Sequence, residues 1–201
     1  MTFIQTLTPE QAPADVRDMY QRQERHWGYI PQYAKIFSHR PEALARWGRL
    51  LAELRRYTDD RRFELVSFVV AFELRSSGCS LAHGEKLAEM IGTERVLAIA
   101  SGNAEKVLPL TDLAIVRFCQ QLAQDPNAVT AEEVDTLRAE HGLSDAEVFD
   151  IAALAAGRCF FTTLLDGLGC HPETAFLDMN ETLREALTKG RPFVDSAAGV
   201  G

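Results

Sequence analysis

Cys79 and His83 are four residues apart, so on a helix they share one face. Ser76, Ser77 and Gly78 break the chain just before them. That break places Cys79 at or near a helix N-terminus, where free backbone N–H groups and the helix dipole stabilise an anion. Both effects favour the thiolate, the reactive form of cysteine. A neighbouring imidazole takes the thiol proton or holds an ion pair with the sulfur. Glu64 is the third group. It sits among apolar residues, with Ser67, Ala71 and Arg75 along its own helical face and Glu73 about half a turn round. A buried carboxylate needs a partner, and His83 or a water-filled pocket supplies one. The expectation is a relay from Glu64 to His83, directly or through water, and on to a Cys79 of depressed pKa. Plainer readings stand beside it. Most buried cysteines are inert, and Glu64 has Arg61 and Arg62 as alternative surface partners. Glu64, Cys79 and His83 with a water would also make an open zinc site. No further Cys or His cluster accompanies them, so neither a metal nor another cofactor is expected.

The elements that position these groups read as helices. Apolar residues at 63, 65, 66, 68, 69, 70, 72 and 74 cover nearly every side of a central helix over 59–75, as in a helix buried against several neighbours. An amphipathic helix follows over 80–91, ending at Gly92, a C-cap residue. Upstream, helices are expected over 14–26, 32–37 and 41–57. Thr8 with Gln11 resembles a capping box, and Trp27 to Pro31 forms a break whose large apolar side chains pack under something. In the helix over 41–57, Leu44, Trp47, Leu50, Leu51 and Leu54 mark one buried face. Downstream, helices are expected over 94–100, 113–123, 146–168 and 172–189. Thr130 with Glu133 and Ser144 with Glu147 are capping boxes, and the tail over 196–201 reads as loose. A faint echo at an offset of 50 aligns Phe63, Val66, Phe68 and Phe72 with Leu113, Val116, Phe118 and Leu122. Its second copy has Val129 and Glu133 where the first has Cys79 and His83. No strand is convincing, and the chain reads as all-α.

A length of 201 residues suits a single domain over 1–201, with a motif region at 41–100 and a second helical half at 110–170. The formal net charge is −8, and the basic residues are scattered. This counts against nucleic acid and against an anionic membrane surface. The first eleven residues lack the basic and apolar regions of a signal peptide. The longest apolar run, 65–74, is interrupted by Ser67 and Glu73 and is too short to span a bilayer. Cys79, Cys119, Cys159 and Cys170 show no Cys-x-x-Cys spacing, so reduced thiols and a cytoplasmic location are expected.

The pattern Glu64-x11-Ser76-x2-Cys79-x3-His83 resembles the active-site signature of the AhpD-like alkylhydroperoxidases, within the carboxymuconolactone decarboxylase superfamily. The family pattern is Glu, then Cys-x-x-Cys, then His with three residues between it and the second Cys. Segments 27–44 (WGYIPQYAKIFSHRPEAL) and 110–154 are similar to the family's lead-in and second half, so the resemblance covers about residues 15–175. It implies an AhpD-like multi-helical fold in homo-oligomers (dimers, trimers or hexamers). In the peroxidase members the second Cys attacks the peroxide, helped by His and Glu, and the first Cys closes a disulfide that a thiol reductant reopens.

Here Ser76 stands at the first Cys, and a hydroxyl forms no disulfide with a sulfenic acid on Cys79. Such a sulfenic acid needs an external thiol, or Cys119, Cys159 or Cys170 if one lies close. The plainer reading of Cys159 and Cys170 is apolar filler. Arg158 and its neighbours up to Thr163 depart from the family's pattern, which changes the pocket wall. His26, His39, His141 and His171 read as structural or solvated. The leading expectation is a thiol-dependent peroxidase or oxidoreductase. Cys79 is its nucleophile, His83 its base, Glu64 its orienter and Ser76 a lining residue; a hydroperoxide is the oxidant and an external thiol the reductant. The alternatives are a decarboxylase-type proton-transfer enzyme acting through His83 on a small carboxylated or lactone substrate, and a non-catalytic oligomeric helical protein.

Overall fold

The computed structural model describes residues 2–194; the tail over 196–201, expected to be loose, lies outside the described residues. Those residues form ten α-helices and no strand. In chain order they are α1 (Ala14–Trp27), α2 (Gln32–Ile36), α3 (Pro41–Arg55), α4 (Asp60–Glu73), α5 (Ser77–Ile91), α6 (Thr93–Ala100), α7 (Leu110–Gln124), α8 (Ala131–Ala139), α9 (Asp145–Gly167) and α10 (Glu181–Leu187). The all-α expectation holds.

α4 is the centre. The Asp59 carboxylate accepts from the Arg62 amide at 2.9 Å and starts it. From Phe63 to Ala71 every residue is buried, because the helix is apolar all round and α5, α7 and α9 all pack on it. The Arg61 guanidinium makes a bidentate pair with the buried Asp112 and ties α4 to α7. One core cluster is built from α4 to α10. A second joins α1, α2 and α3 to the C-terminal half of α9, and Ala71 and Cys79 belong to it. The N-terminal helices therefore close over the α4–α5 junction.

Both downstream capping boxes form, Thr130 with Glu133 and Ser144 with Glu147. Four expectations change. Thr8 and Gln11 make only a turn, with no helix starting there. Leu50 is 52% exposed, since the buried face of α3 is the narrower stripe Leu44, Trp47 and Leu54. The single helix expected over 172–189 is a 3-10 turn, Thr174–Asp178, and then α10. Met179 is extended between them, and the Asn180 side chain caps α10 on the Leu183 amide at 3.0 Å. Finally, the longest apolar helix is α9 rather than 65–74. By length and composition α9 passes for a membrane span, but it is the core helix against which α3, α4, α7 and α8 pack.

The break between α4 and α5 also differs from the expected glycine turn. Ser76 N–H reaches Ala71 C=O at 2.9 Å and Arg75 N–H reaches Phe72 C=O at 3.0 Å. This is a Schellman closure with Arg75 in the left-handed position, at φ 58°. A side chain there costs about 1–2 kcal/mol. The C-terminal segment holds the turn in place: Arg75 Nη2 donates to Lys189 O at 3.1 Å, and Gly190 N donates to Ser77 Oγ at 2.8 Å. A Cβ on Gly190 would lie 1.9 Å from the Arg75 carbonyl oxygen. Gly190→Ala must push this segment off the junction, and a loss of about 1–3 kcal/mol is expected. Thermal unfolding beside the wild type checks it; an unchanged midpoint would show that the close approach contributes nothing.

Candidate active site

The Schellman turn swings the chain so that the first turn of α5 faces back along α4. Ser77, Gly78 and Cys79 are its first three residues. His83 follows one turn later, above Glu64. Glu64 is 1% exposed, and its Oε2 accepts a hydrogen bond from His83 Nδ1 at 2.7 Å. The direct form of the Glu64–His83 link is therefore present. His83 bonds Glu64 rather than Cys79; imidazole and thiol share a cavity without a direct hydrogen bond.

That cavity has a volume of about 520 Å³, and Glu64, Ser76, Cys79, His83 and Arg158 all line it. Its opposite wall is aromatic: Trp27, Tyr29, Tyr33, Trp47 and Phe161. The break at Trp27 to Pro31 thus forms the cavity wall, and Trp27 is 39% exposed rather than packed away. Tyr33 fixes that wall, accepting from Trp27 Nε1 at 2.8 Å and donating to Gln23 Oε1 at 2.5 Å.

Burial, together with the nearby Arg158 charge, holds His83 down to about 4, against the opposing pull of Glu64. His83 is neutral at pH 7. Its one proton lies on Nδ1 toward the carboxylate, so Nε2 is a free acceptor. Burial pushes Glu64 up, but the His83 hydrogen bond and the charges of Lys86 and Arg158 outweigh it and leave Glu64 below the ordinary carboxylate value. Cys79 corrects the expectation of a depressed thiol. Burial raises it, and the Arg158 charge with the nearby Ser76 and Thr162 hydroxyls offsets only part of that rise. A helix N-terminus was legible in sequence; the enclosure that outweighs it was not.

The sequence marks Arg158 only as a change in the pocket wall; sequence reasoning missed its place beside Glu64, Cys79 and His83, and the stripe it begins. Arg158, Thr162 and Asp166 lie four residues apart on the otherwise apolar α9, and Cys170 continues the spacing past the helix end. Such a polar repeat on an apolar helix is a readable signal. Arg158 is 5% exposed. Its Nε donates to Ser67 Oγ at 3.0 Å, and its guanidinium stands 5.5 Å from the centre of the Phe63 ring. Ser67, on the helical face of Glu64, is the anchor for this cation. Ser76 is buried at the N-cap of α5 without capping it, and it lines the cavity with Cys79 and Asp166. The Ser80 and Thr162 hydroxyls and one Asp166 oxygen are buried without a hydrogen-bond partner. No three His, Cys, Asp or Glu side chains among the described residues converge as metal ligands.

Of the remaining cysteines, Cys119 is buried in the main core and Cys159 packs against that core, whereas Cys170 lines the cavity with Cys79. His26 and His171 also line it. His26 packs edge-on to Trp27, and His171 Nδ1 donates to Pro192 O at 2.9 Å. His39 Nε2 donates to Gln5 O at 2.7 Å, and His141 lies outside the cavity lining, just past α8.

Two outcomes follow from these charges. Removing the cation in Arg158→Gln raises Cys79 further, and each unit of rise slows alkylation at fixed pH about tenfold; iodoacetamide kinetics against pH read this directly, and an unchanged profile would remove Arg158 from the site. Second, unfolded His83 takes up its proton near pH 6.5 but folded His83 only near 4. The folded state binds fewer protons between those values, so stability falls as pH drops from 6.5 to 4. His83→Gln should flatten that window in chemical denaturation; persistence of the full slope would assign it elsewhere.

No protein-family model matches the chain, and no curated protein sequence does. Solved structures do. An AhpD-core, uncharacterised peroxidase-related protein from Ralstonia eutropha JMP134 matches with a TM-score of 0.70 at 20% identity, over 87% of this chain and 94% of its own. An uncharacterised peroxidase-related protein from Silicibacter sp. TM1040 matches with a TM-score of 0.74 at 15% identity, over 88% and 94%. The debrominase Bmp8, as a Cys-to-Ala variant with 2,3,4-tribromopyrrole, matches with a TM-score of 0.72 at 16% identity, over 92% and 98%. Ten helices around a buried α4, with α5 entering at its broken end, are the AhpD-like fold.

Proposed function

We propose that this chain is a thiol-dependent peroxidase of the AhpD-like superfamily, reducing hydroperoxides through Cys79. The observation that carries the reading is the Glu64–His83 hydrogen bond at 2.7 Å, inside the cavity that Cys79 lines. It supplies a neutral base with a fixed tautomer, next to a thiol that needs one. The Cys79 proton passes to His83 Nε2 through the hydroxyl of the bound hydroperoxide. The sulfur attacks the distal oxygen, the O–O bond breaks, and the departing alkoxide takes the proton back from His83. The products are an alcohol and a Cys79 sulfenic acid. Burial keeps the resting thiol protonated, and the Arg158 charge lowers the cost of the negative sulfur once a bound substrate gives the proton a route. One external thiol converts the sulfenic acid to a mixed disulfide, releasing water, and a second thiol exchanges with it to return Cys79 to the thiol, leaving the reductant as a disulfide.

The aromatic wall suits a flat or bulky organic hydroperoxide over hydrogen peroxide. The exposed residues Phe149, Ala156 and Phe160 along α9 support the homo-oligomer that the resemblance implies.

A second reading is favoured by the raised Cys79 and the neutral His83: proton transfer by His83 on a small carboxylated or lactone substrate, with Cys79 a bystander. Turnover of cumene hydroperoxide with dithiothreitol, and of a lactone panel, separates the two. On the first reading Cys79→Ala abolishes peroxide turnover, His83→Ala lowers it about 100-fold and Glu64→Gln less, within the usual range for a positioned base. Lactone turnover that survives Cys79→Ala and is lost in His83→Ala would replace it with the second.

A further inference from the structure

We propose that Cys170 is the resolving partner of Cys79, closing a disulfide across the cavity from the end of α9 in place of the serine at position 76. The inference rests on the peroxidase reading for its oxidant.

The structure chooses among the three remaining cysteines. Cys119 lies in the main core and Cys159 packs on that core, and neither lines the cavity. Cys170 belongs with Cys79 twice over: both line the same cavity, and both pack in the same N-terminal apolar cluster. The backbones approach each other next to the two sulfurs. An added Cβ on Gly78, the neighbour of Cys79, would lie 3.8 Å from Pro172 Cα, two residues beyond Cys170.

α9 delivers Cys170 by a defined turn. Gly169, at φ 79°, allows Cys170 N–H to reach Leu165 C=O at 2.9 Å and Gly169 N–H to reach Asp166 C=O at 3.1 Å. This Schellman closure ends α9 at Gly167, three residues before the cysteine. Cys170 then opens a non-helical connection, residues 170–173, so its side chain turns toward Cys79 without melting a helix. Among the described residues its thiol makes one weak hydrogen bond, to the carbonyl of His171 at 3.8 Å. Each sulfur also lies within the electrostatic reach of the other, and burial first, then Glu173, Cys79 and Asp166, push Cys170 up to about 12.

The step balances. The Cys170 thiol attacks the sulfur of the Cys79 sulfenic acid, the S–OH bond breaks, an S–S bond forms, and the Cys170 proton leaves with the hydroxide as water. Both cysteines end one electron more oxidised than the thiol. A cytosolic dithiol reductant then reopens the bridge by exchange.

Full-length protein is treated with one equivalent of cumene hydroperoxide or, separately, equilibrated with a glutathione redox buffer. Free thiols are then alkylated and the protein is mapped by mass spectrometry. The expected result is a linked Cys79–Cys170 peptide pair under both oxidants, unchanged in a Cys119→Ser/Cys159→Ser variant. In Cys170→Ser and Cys170→Ala, each verified folded by circular dichroism, a dimedone-reactive Cys79 replaces the bridge after peroxide. A wild type that forms the Cys79 sulfenic acid while Cys170 stays free under both oxidants overturns the pairing and leaves the peroxidase reading standing. A bridge that forms in the redox buffer while peroxide leaves Cys79 untouched supports the pairing and overturns that reading. Failure under both oxidants, with Cys79 unoxidised, overturns both.

Discussion

A carboxylate sealed from water must be bonded, and in this protein that constraint falls on Glu64. At 1% exposure it has no solvent to turn to. His83 answers it at 2.7 Å, and removing one partner of such a buried pair costs about 3–5 kcal/mol. The bond fixes the entry of α5 onto α4 and the tautomer of the imidazole at once. Because burial keeps His83 neutral while Glu64 stays ionised, the same contact that locks two helices together leaves Nε2 as an open acceptor in the cavity. Structure and chemistry share one hydrogen bond.

The rest of the site compensates for charge in an enclosed space. A carboxylate inside α4 calls for a cation, and α9 provides Arg158, anchored on Ser67 from the Glu64 face. Arg158 acts on all three groups: it lowers His83, helps hold Glu64 ionised, and tempers the rise of Cys79. The stripe then continues through Thr162 and Asp166 to Cys170, so one helix face presents cation, hydroxyl, acid and thiol to the first turn of α5. The aromatic wall from α1, α2 and α3 shuts the other side. In this arrangement burial holds the Cys79 thiol protonated.

The arrangement of helices was largely legible, and for identifiable reasons. Thr130 with Glu133 and Ser144 with Glu147 each solve the orphan-amide problem locally, so both formed where the residues said they would. The apolar wrap of 63–74 marked the central helix, since no other placement hides it. What failed locally failed for want of context. Leu50 fits the helical period but faces solvent, and Asn180 caps a new helix where continuous propensity suggested one long one. At the α4–α5 break, Arg75 adopts the left-handed conformation beside an available glycine. The C-terminal segment, 115 residues downstream at Gly190, holds that turn in place.

The sequence by itself determined the chemistry in kind. Spacing put Cys79 and His83 on one helix face at its N-terminal end, Glu64 on the buried helix before it, and Ser76 where the resembling family has a cysteine. These are local facts of period and break. Only the tertiary structure decided the charge states, because a pKa depends on the water excluded by residues far away in the chain. It reversed the expectation for Cys79, made His83 a neutral base, brought Arg158 across from α9, and separated Cys170 from Cys119 and Cys159. Each outcome depends on which helix face meets which across the cavity. That is a property of packing α1 to α3 and α9 around one junction, which no stretch of sequence contains.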